Sequence, residues 1–301
     1  MLFDLHHRSK RVRMRQWARI RNSSMSVRDL LAIVTSQAGN EHVIALAEQL
    51  ATQSGRRLTM ALVNWMPSLP GIEGFSIAPI YDDLVKQAQE RLERERTKLE
   101  ERFNRSATVV AIETFMPEFG AAGSTLGMRA RHADLTVVAR PDKDDASSAR
   151  AILDASLFES GRPVIVVPPD WQAAPVGRHV LVAWKPTREA ARALGDADEM
   201  ITAAERVSVV TVEANPSRGY GEQPGADIAA RLAFRGAKVE LFNLDSGGRS
   251  ETRTILDQAL LVGADLIVMG GYGRPRLSEL VFGGVTREML HTAKVPVLMS
   301  H

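Results

Sequence analysis

The 301-residue sequence predicts an α/β protein made of two tandem domains, each an open five-stranded parallel sheet. Three observations carry this expectation. The length is about twice that of an ordinary domain. Segments recur in the same order: Arg28–Val34 (RDLLAIV), Ala133–Arg140 (ADLTVVAR) and Gly161–Pro168 (GRPVIVVP) are echoed by Arg178–Trp184 (RHVLVAW), Ala264–Gly271 (ADLIVMGG) and Ala293–Ser300 (AKVPVLMS). Finally, short continuous apolar runs alternate with helical patterns, as strands buried on both faces require.

Taken in order, the apolar runs predict strands near 28–35, 57–64, 107–114, 134–139 and 163–167 in the first half. In the second half they predict 178–184, 207–213, 237–244, 265–270 and 295–299. Helical crossovers between them make the sheets parallel and the connections right-handed. The clearest helix is Asp82–Arg105, with Leu84, Ala88, Leu92, Leu99 and Phe103 on one stripe. Its mixed-sign charges read as a solvated face. The Pro-rich stretch around Pro168, Pro169 and Pro175 ends the first copy. The domains are expected at 27–170 and 178–301, joined by a linker at 171–177. Residues 1–26 read as a basic disordered extension, with Met25 a candidate first residue.

Charge and composition exclude several functions. There is no cysteine, so disulfides, thiolate metal sites and thiol nucleophiles are ruled out. The chain carries a net +2, yet seven Lys/Arg and one Asp lie within residues 1–24, which leaves the remainder at −4. An acidic body is a poor partner for nucleic acid, whose binding rests on phosphate neutralisation. No run is long and apolar enough for a membrane span, and the expected location is cytoplasmic. The seven histidines show no metal-ligand spacing. No Walker loop and no G-x-G-x-x-G occurs, and Ser124 is not centred in a G-x-S-x-G elbow. Catalysis is therefore not expected. Ser246–Ser250 (SGGRS) resembles a pyrophosphate loop but follows the wrong strand. Ser250 reads better as a helix N-cap.

In an open parallel sheet, ligands bind beyond the carboxyl ends of the strands. After the fourth strand of the second half comes Gly270-Gly271-Tyr272-Gly273, then nine residues to Gly283, followed by Gly284, Val285 and Thr286 opening a helix. Glycines let backbone N–H groups approach phosphate closely, and a helix N-terminus adds free donors. Arg274 and Arg276 read either as added positive charge or as solubilising arginines.

This pattern resembles the universal stress protein family, and the chain is similar to two such UspA-like domains in tandem over residues 27–301. Gly270, Gly273 and Gly283 match the family's G-x2-G-x9-G-[S/T] loop, and Val285 and Thr286 match its continuation. Gly284 stands where the family has a hydroxyl. Lys185-Pro186-Thr187 replaces the usual Asp-Gly-Ser after the first strand. Lys185 reads either as a phosphate contact or as an exposed loop lysine. The resemblance implies Ala183, Val212 and Met269 against an adenine, and ATP or another adenine nucleotide as ligand, with Mg only alongside it. It also implies that the halves pair through their last strands as an intramolecular pseudo-dimer, with a homodimer as a further assembly. The first half carries Arg140-Pro141-Asp142 instead of the glycines, with Asp144 and Asp145 beyond. It reads as a degenerate copy. The rival readings are a non-binding scaffold of the same fold and an adenylating enzyme, which lacks its diagnostic loop here.

Overall fold

A computed structural model describes residues 29–37, 39–68, 78–106, 108–141, 146–212, 224–271 and 284–301. The first half contributes β1 (Asp29–Thr35), α1 (Glu41–Ser54), β2 (Arg57–Val63), α2 (Ala78–Asn104), β3 (Val110–Phe115), α3 (Met128–Arg131), β4 (Leu135–Ala139), α4 (Ala146–Phe158) and β5 (Val164–Val167). The second contributes β6 (His179–Ala183), α5 (Arg188–Asp196), α6 (Asp198–Ala203), β7 (Arg206–Val212), α7 (Ala226–Phe234), β8 (Val239–Leu244), α8 (Glu251–Val262), β9 (Leu266–Gly270), α9 (Gly284–Thr292) and β10 (Val297–Ser300). The Gly120–Gly127 stretch forms a 3₁₀ turn at Phe119–Ala121 and a π turn at Gly123–Gly127 leading into α3. The extension at residues 1–26 and the residues Asp142, Asp144, Asp145, Gly273, Arg274, Arg276 and Gly283 lie outside the described residues.

The ten described strands form one sheet, in the order β3-β2-β1-β4-β5-β10-β9-β6-β7-β8. Within each half every pairing is parallel. The halves meet where β5 and β10 pair antiparallel, Val164 opposite Met299 and Val166 opposite Val297. This is the last-strand pairing that the family resemblance implies. The antiparallel joint relates the halves by a rotation about the sheet normal. The carboxyl ends of their strands therefore point in opposite directions, while the same face of each half stays on the same side. One apolar layer accordingly runs under α1 and α5 through Val43, Leu46, Ala193 and Leu194, and the other holds Leu153 and Leu157 of α4 with Met289 and Leu290 of α9.

The repeated Ala-Asp-Leu has a structural job. Asp265 accepts the backbone N–H groups of Gly177, Arg178 and His179 at 2.7, 3.0 and 3.0 Å, which fixes the start of β6. Its counterpart Asp134 accepts the N–H of Asp29 at 3.0 Å at the start of β1. Burial pushes the Asp265 carboxyl up, against the three donors that pull it down. The flanking Ala133 and Ala264 are buried in the core.

Two guanidinium groups tie the halves reciprocally. Arg140, just past β4, donates to the carbonyl of Ala293 at 2.6 Å. Arg192 of α5 donates to the carbonyl of Gly161 at 2.5 Å. By the repeat, Gly161 and Ala293 are the same position, one residue before the shared Arg/Lys. Arg140 also lies 3.6 Å from Asp170, which takes a hydrogen bond from Lys294. On α2 the charges pair along the solvent face, as Arg96 with Glu100 at 3.2 Å and Lys98 with Glu95 at 2.7 Å. Such exposed pairs contribute little stability.

Candidate functional site

The order β9-β6 places a switch point in the second half. The chain leaves β6 for α5 on one face of the sheet and reaches α9 from β9 on the other, which opens a crevice beyond the two carboxyl ends. Ala183 ends β6 opposite Met269 of β9. Val212 ends β7, two residues past the partner of Ala183. Ala183, Val212 and Met269 belong to one apolar layer, with Val212 and Met269 buried and Ala183 half-buried. The sequence thus supplies an apolar floor at the ends of three adjacent strands.

Gly270 has a packing role of its own. A Cβ there would fall 2.5 Å from the backbone N of Ala190 and 2.7 Å from the carbonyl carbon of Glu189. Glycine is needed so that the first turn of α5 can pack on β9, whether or not phosphate approaches. The N–H of Gly271 is already bonded to the carbonyl of Ser300 at 2.8 Å. Gly284 differs from Gly270. It is exposed at the start of α9, a Cβ there would meet nothing within 4 Å among the described residues, and its φ lies outside the left-handed region. A serine fits at 284 without strain. Val285 packs on the apolar layer and Thr286 is buried in the first turn of α9.

Lys185 is exposed and forms an ion pair with Glu251 in the first turn of α8, Nζ to Oε2 3.5 Å. That turn also touches α9. Ser250 donates to Glu288 at 2.8 Å, and the Thr252 hydroxyl donates to the carbonyl of Val285 at 3.1 Å. The end of β6 and the starts of α8 and α9 are therefore linked around the crevice. The glycine-rich loop before α8 is not a free anion cradle. The Gly247 N–H is bonded to Asp245 at 2.7 Å, the Gly248 N–H to the Ser246 hydroxyl at 3.3 Å and the Arg249 N–H to the Ser246 carbonyl at 3.1 Å. Ser250 caps α8 by accepting the N–H of Arg253 at 3.1 Å, the role its position suggested.

On the other face of the second half, Thr187 caps α5 by accepting the N–H of Ala190 at 3.2 Å. Glu189 beside it is buried. Burial alone would raise its carboxyl, but the Arg188 hydrogen bond, its own N–H and the Thr187 hydroxyl together hold it below the usual carboxylate range.

In the first half the equivalent edge is filled differently. Asn64 and Trp65 follow Val63, the register counterpart of Val212. Trp65 packs on the apolar layer with its ring centroid 5.0 Å from that of Phe119. Arg140, which stands where the second half has Gly271, spends its guanidinium on the joint between halves.

Sequence reasoning missed one pair. His179 Nε2 and the Ser208 hydroxyl lie 3.0 Å apart, the first residue of β6 and the third of β7 brought together by β6–β7 pairing. Both are buried toward the amino ends of the strands, opposite the crevice, and no side chain among the described residues hydrogen-bonds to His179 Nδ1. With no acid on Nδ1 and no opening to solvent, the pair is not a nucleophile–base set. Burial, then the charge of Arg206, holds the His179 imidazole below its ordinary value. Elsewhere, a cleft between the halves is lined by Asp29, Arg56, Asp134, Asp196 and Glu199. Its carboxylates have partners of their own, such as Arg56 to Glu199 at 3.1 Å and Ser300 to Asp196 at 2.8 Å. Among the described residues no group of three or more His, Asp or Glu could hold a metal ion, and no helix is long and apolar enough to cross a membrane.

With this geometry in hand, known proteins supply the comparison. Residues 177–301 match the family model described as the universal stress protein family. A solved universal stress protein from Archaeoglobus fulgidus is similar with a TM-score of 0.65 at 13% identity, covering 90% of this chain and 97% of its own. A protein from Pseudomonas aeruginosa described as a universal stress protein aligns with a TM-score of 0.57 at 13% identity, over 91% and 93% of the two chains. A protein of unknown function from Pseudomonas aeruginosa PAO1 aligns with a TM-score of 0.54 at 14% identity, over 91% and 92%. At these identities the likeness shows the fold, over both halves. No curated protein matches the chain.

Proposed function

We propose, from the match of residues 177–301 to the universal stress protein family model, that the chain is a two-domain stress-response protein of the cytoplasm, which binds an adenine nucleotide weakly through its second half and performs no strong catalysis. The observation that carries this reading is the crevice at the β6/β9 switch point. Its apolar floor of Ala183, Val212 and Met269 suits a purine ring, and the exposed Gly284 at the start of α9 leaves room for phosphate. Gly270, Gly273, Gly283, Val285 and Thr286 complete the proposed loop, with Lys185 beyond β6 as a cation on the same edge. Mg enters only as a companion of bound nucleotide. The first half is proposed as a structural copy, its corresponding edge occupied by Trp65 and Phe119. The domains are proposed at 27–170 and 178–301.

The scaffold reading also has a specific observation behind it. Gly270 is required by helix packing and Lys185 is engaged by Glu251, so two of the motif residues have structural explanations that need no ligand. Mass spectrometry of small molecules released on denaturing the purified full chain, with titration of ATP, ADP and AMP into the stripped protein, separates the two. Saturable binding of at least one of them supports the nucleotide reading. No released nucleotide and no saturation at millimolar concentration would leave the scaffold.

A further inference from the structure

Lys185 sits immediately beyond β6, at the switch-point crevice, where a cation would face a ligand entering from the carboxyl edge. It is not free there. Its ammonium lies 3.5 Å from the Glu251 carboxylate in the first turn of α8, with side chains 57% and 35% exposed. The same turn is held to α9 by Ser250–Glu288 and Thr252–Val285. Glu251 is therefore positioned on the rim by a fixed helix start, while Lys185 stands on a loop with a long flexible stem.

We propose that Glu251 is an internal competitor for the phosphate groups of the ligand: it holds Lys185 when the crevice is empty, and a bound phosphate must take the lysine from it. The inference rests on the nucleotide reading above and names the residue that tunes it. Its size follows from exposure. A solvent-exposed ion pair contributes at most about 1 kcal/mol, which corresponds to roughly fivefold in affinity. The pair is thus weak enough for a phosphate to displace and strong enough to lower affinity measurably. It also has a sign that a merely structural pair lacks. Removing the carboxylate should improve binding of phosphate-bearing ligands, because the lysine no longer has to be withdrawn from a partner and one repulsive charge leaves the rim.

The test uses the full chain and reads the ratio of ATP affinity to adenosine affinity, since adenosine carries the ring and ribose but no phosphate. Isothermal titration of both ligands is run on wild type, Glu251→Gln, Lys185→Met and the double variant, with thermal melting as a check on folding. The expected result is a ratio raised about two- to fivefold in Glu251→Gln. It should be lowered in Lys185→Met. In the double variant, removing Glu251 should give a smaller gain than in the presence of Lys185. A ratio unchanged or lowered by Glu251→Gln overturns the proposal, as does an undiminished gain without Lys185. If wild type binds neither ligand, the nucleotide reading itself has failed and this inference falls with it. If wild type binds both and the ratio ignores these substitutions, only the competition is refuted.

Discussion

Gly270→Ala should destabilise the protein whether or not any nucleotide is present. The added methyl carbon would lie 2.5 Å from the backbone N of Ala190, 2.7 Å from the carbonyl carbon of Glu189 and 3.0 Å from the Ala190 Cα. These are backbone atoms in the first turn of α5, so no side-chain rotation relieves the overlap. The turn itself is held by the Thr187 cap and by burial of Ala190, Ala193 and Leu194. Overpacking of this kind costs about 1–3 kcal/mol. At about 2–4 °C per kcal/mol for a large domain, the melting temperature should fall by roughly 2–12 °C. Gly284→Ala provides the control within the same motif. Among the described residues its methyl meets nothing within 4 Å and its φ is open to any residue, so the midpoint should hold or rise slightly. Thermal melts of both variants, in ligand-stripped protein, decide the matter. A Gly270→Ala protein that melts with wild type would refute the packing explanation and return the glycine to phosphate binding alone.

The remaining expectations concern the joint, pH and the loop. Arg140→Met removes the guanidinium from the Ala293 carbonyl and from Asp170, and urea unfolding should register a loss of about 1–3 kcal/mol. An unchanged midpoint would show that β5–β10 pairing alone fixes the joint. Burial holds the imidazoles of His42 and His179 below 6.5, so the unfolded chain binds more protons than the folded one just under that pH. That share of stability is complete above pH 6.5 and is lost as pH falls through 6.5 toward the lower folded-state values. His42→Gln should flatten the slope in urea midpoints measured from pH 7.5 to 5.5, and an identical slope would remove His42 from the account. Gly284→Ser restores a hydroxyl at an unstrained, open position, and should tighten ATP selectively over AMP by roughly 10- to 150-fold. Equal effects on both nucleotides, or none, would contradict the assigned register of the loop.

Much of the frame was legible because it depends on local pattern and on a repeat. The apolar runs located the ten described strands to within a few residues, while the pairing of the last strands came from the family resemblance rather than from the runs themselves. Ser250 was readable as a cap because a cap acts within one turn of its own sequence. What stayed hidden depends on distance in the chain. Lys185 and Glu251 are 66 residues apart, and nothing in either segment announces the other. Arg140 looked like a missing glycine loop, whereas its side chain reaches a carbonyl 153 residues away across a joint that exists only once the halves pair. Gly270 matched a ligand motif, yet its packing need arises from α5, whose approach to β9 no sequence spacing encodes. The His179–Ser208 pair likewise follows from strand register rather than from any motif.

The central claim is that the second half of this chain holds an adenine nucleotide while the first does not. The direct measurement is photo-crosslinking of the intact protein with an azido-adenine nucleotide, followed by peptide mapping, with excess unlabelled ATP as competitor. The account predicts competable label in peptides carrying the ends of β6, β7 and β9 or the start of α9, which include Ala183, Val212, Met269 and Gly284. Competable label in the first half, around Trp65 and Phe119, or label that ATP does not displace from anywhere in the chain, would contradict it.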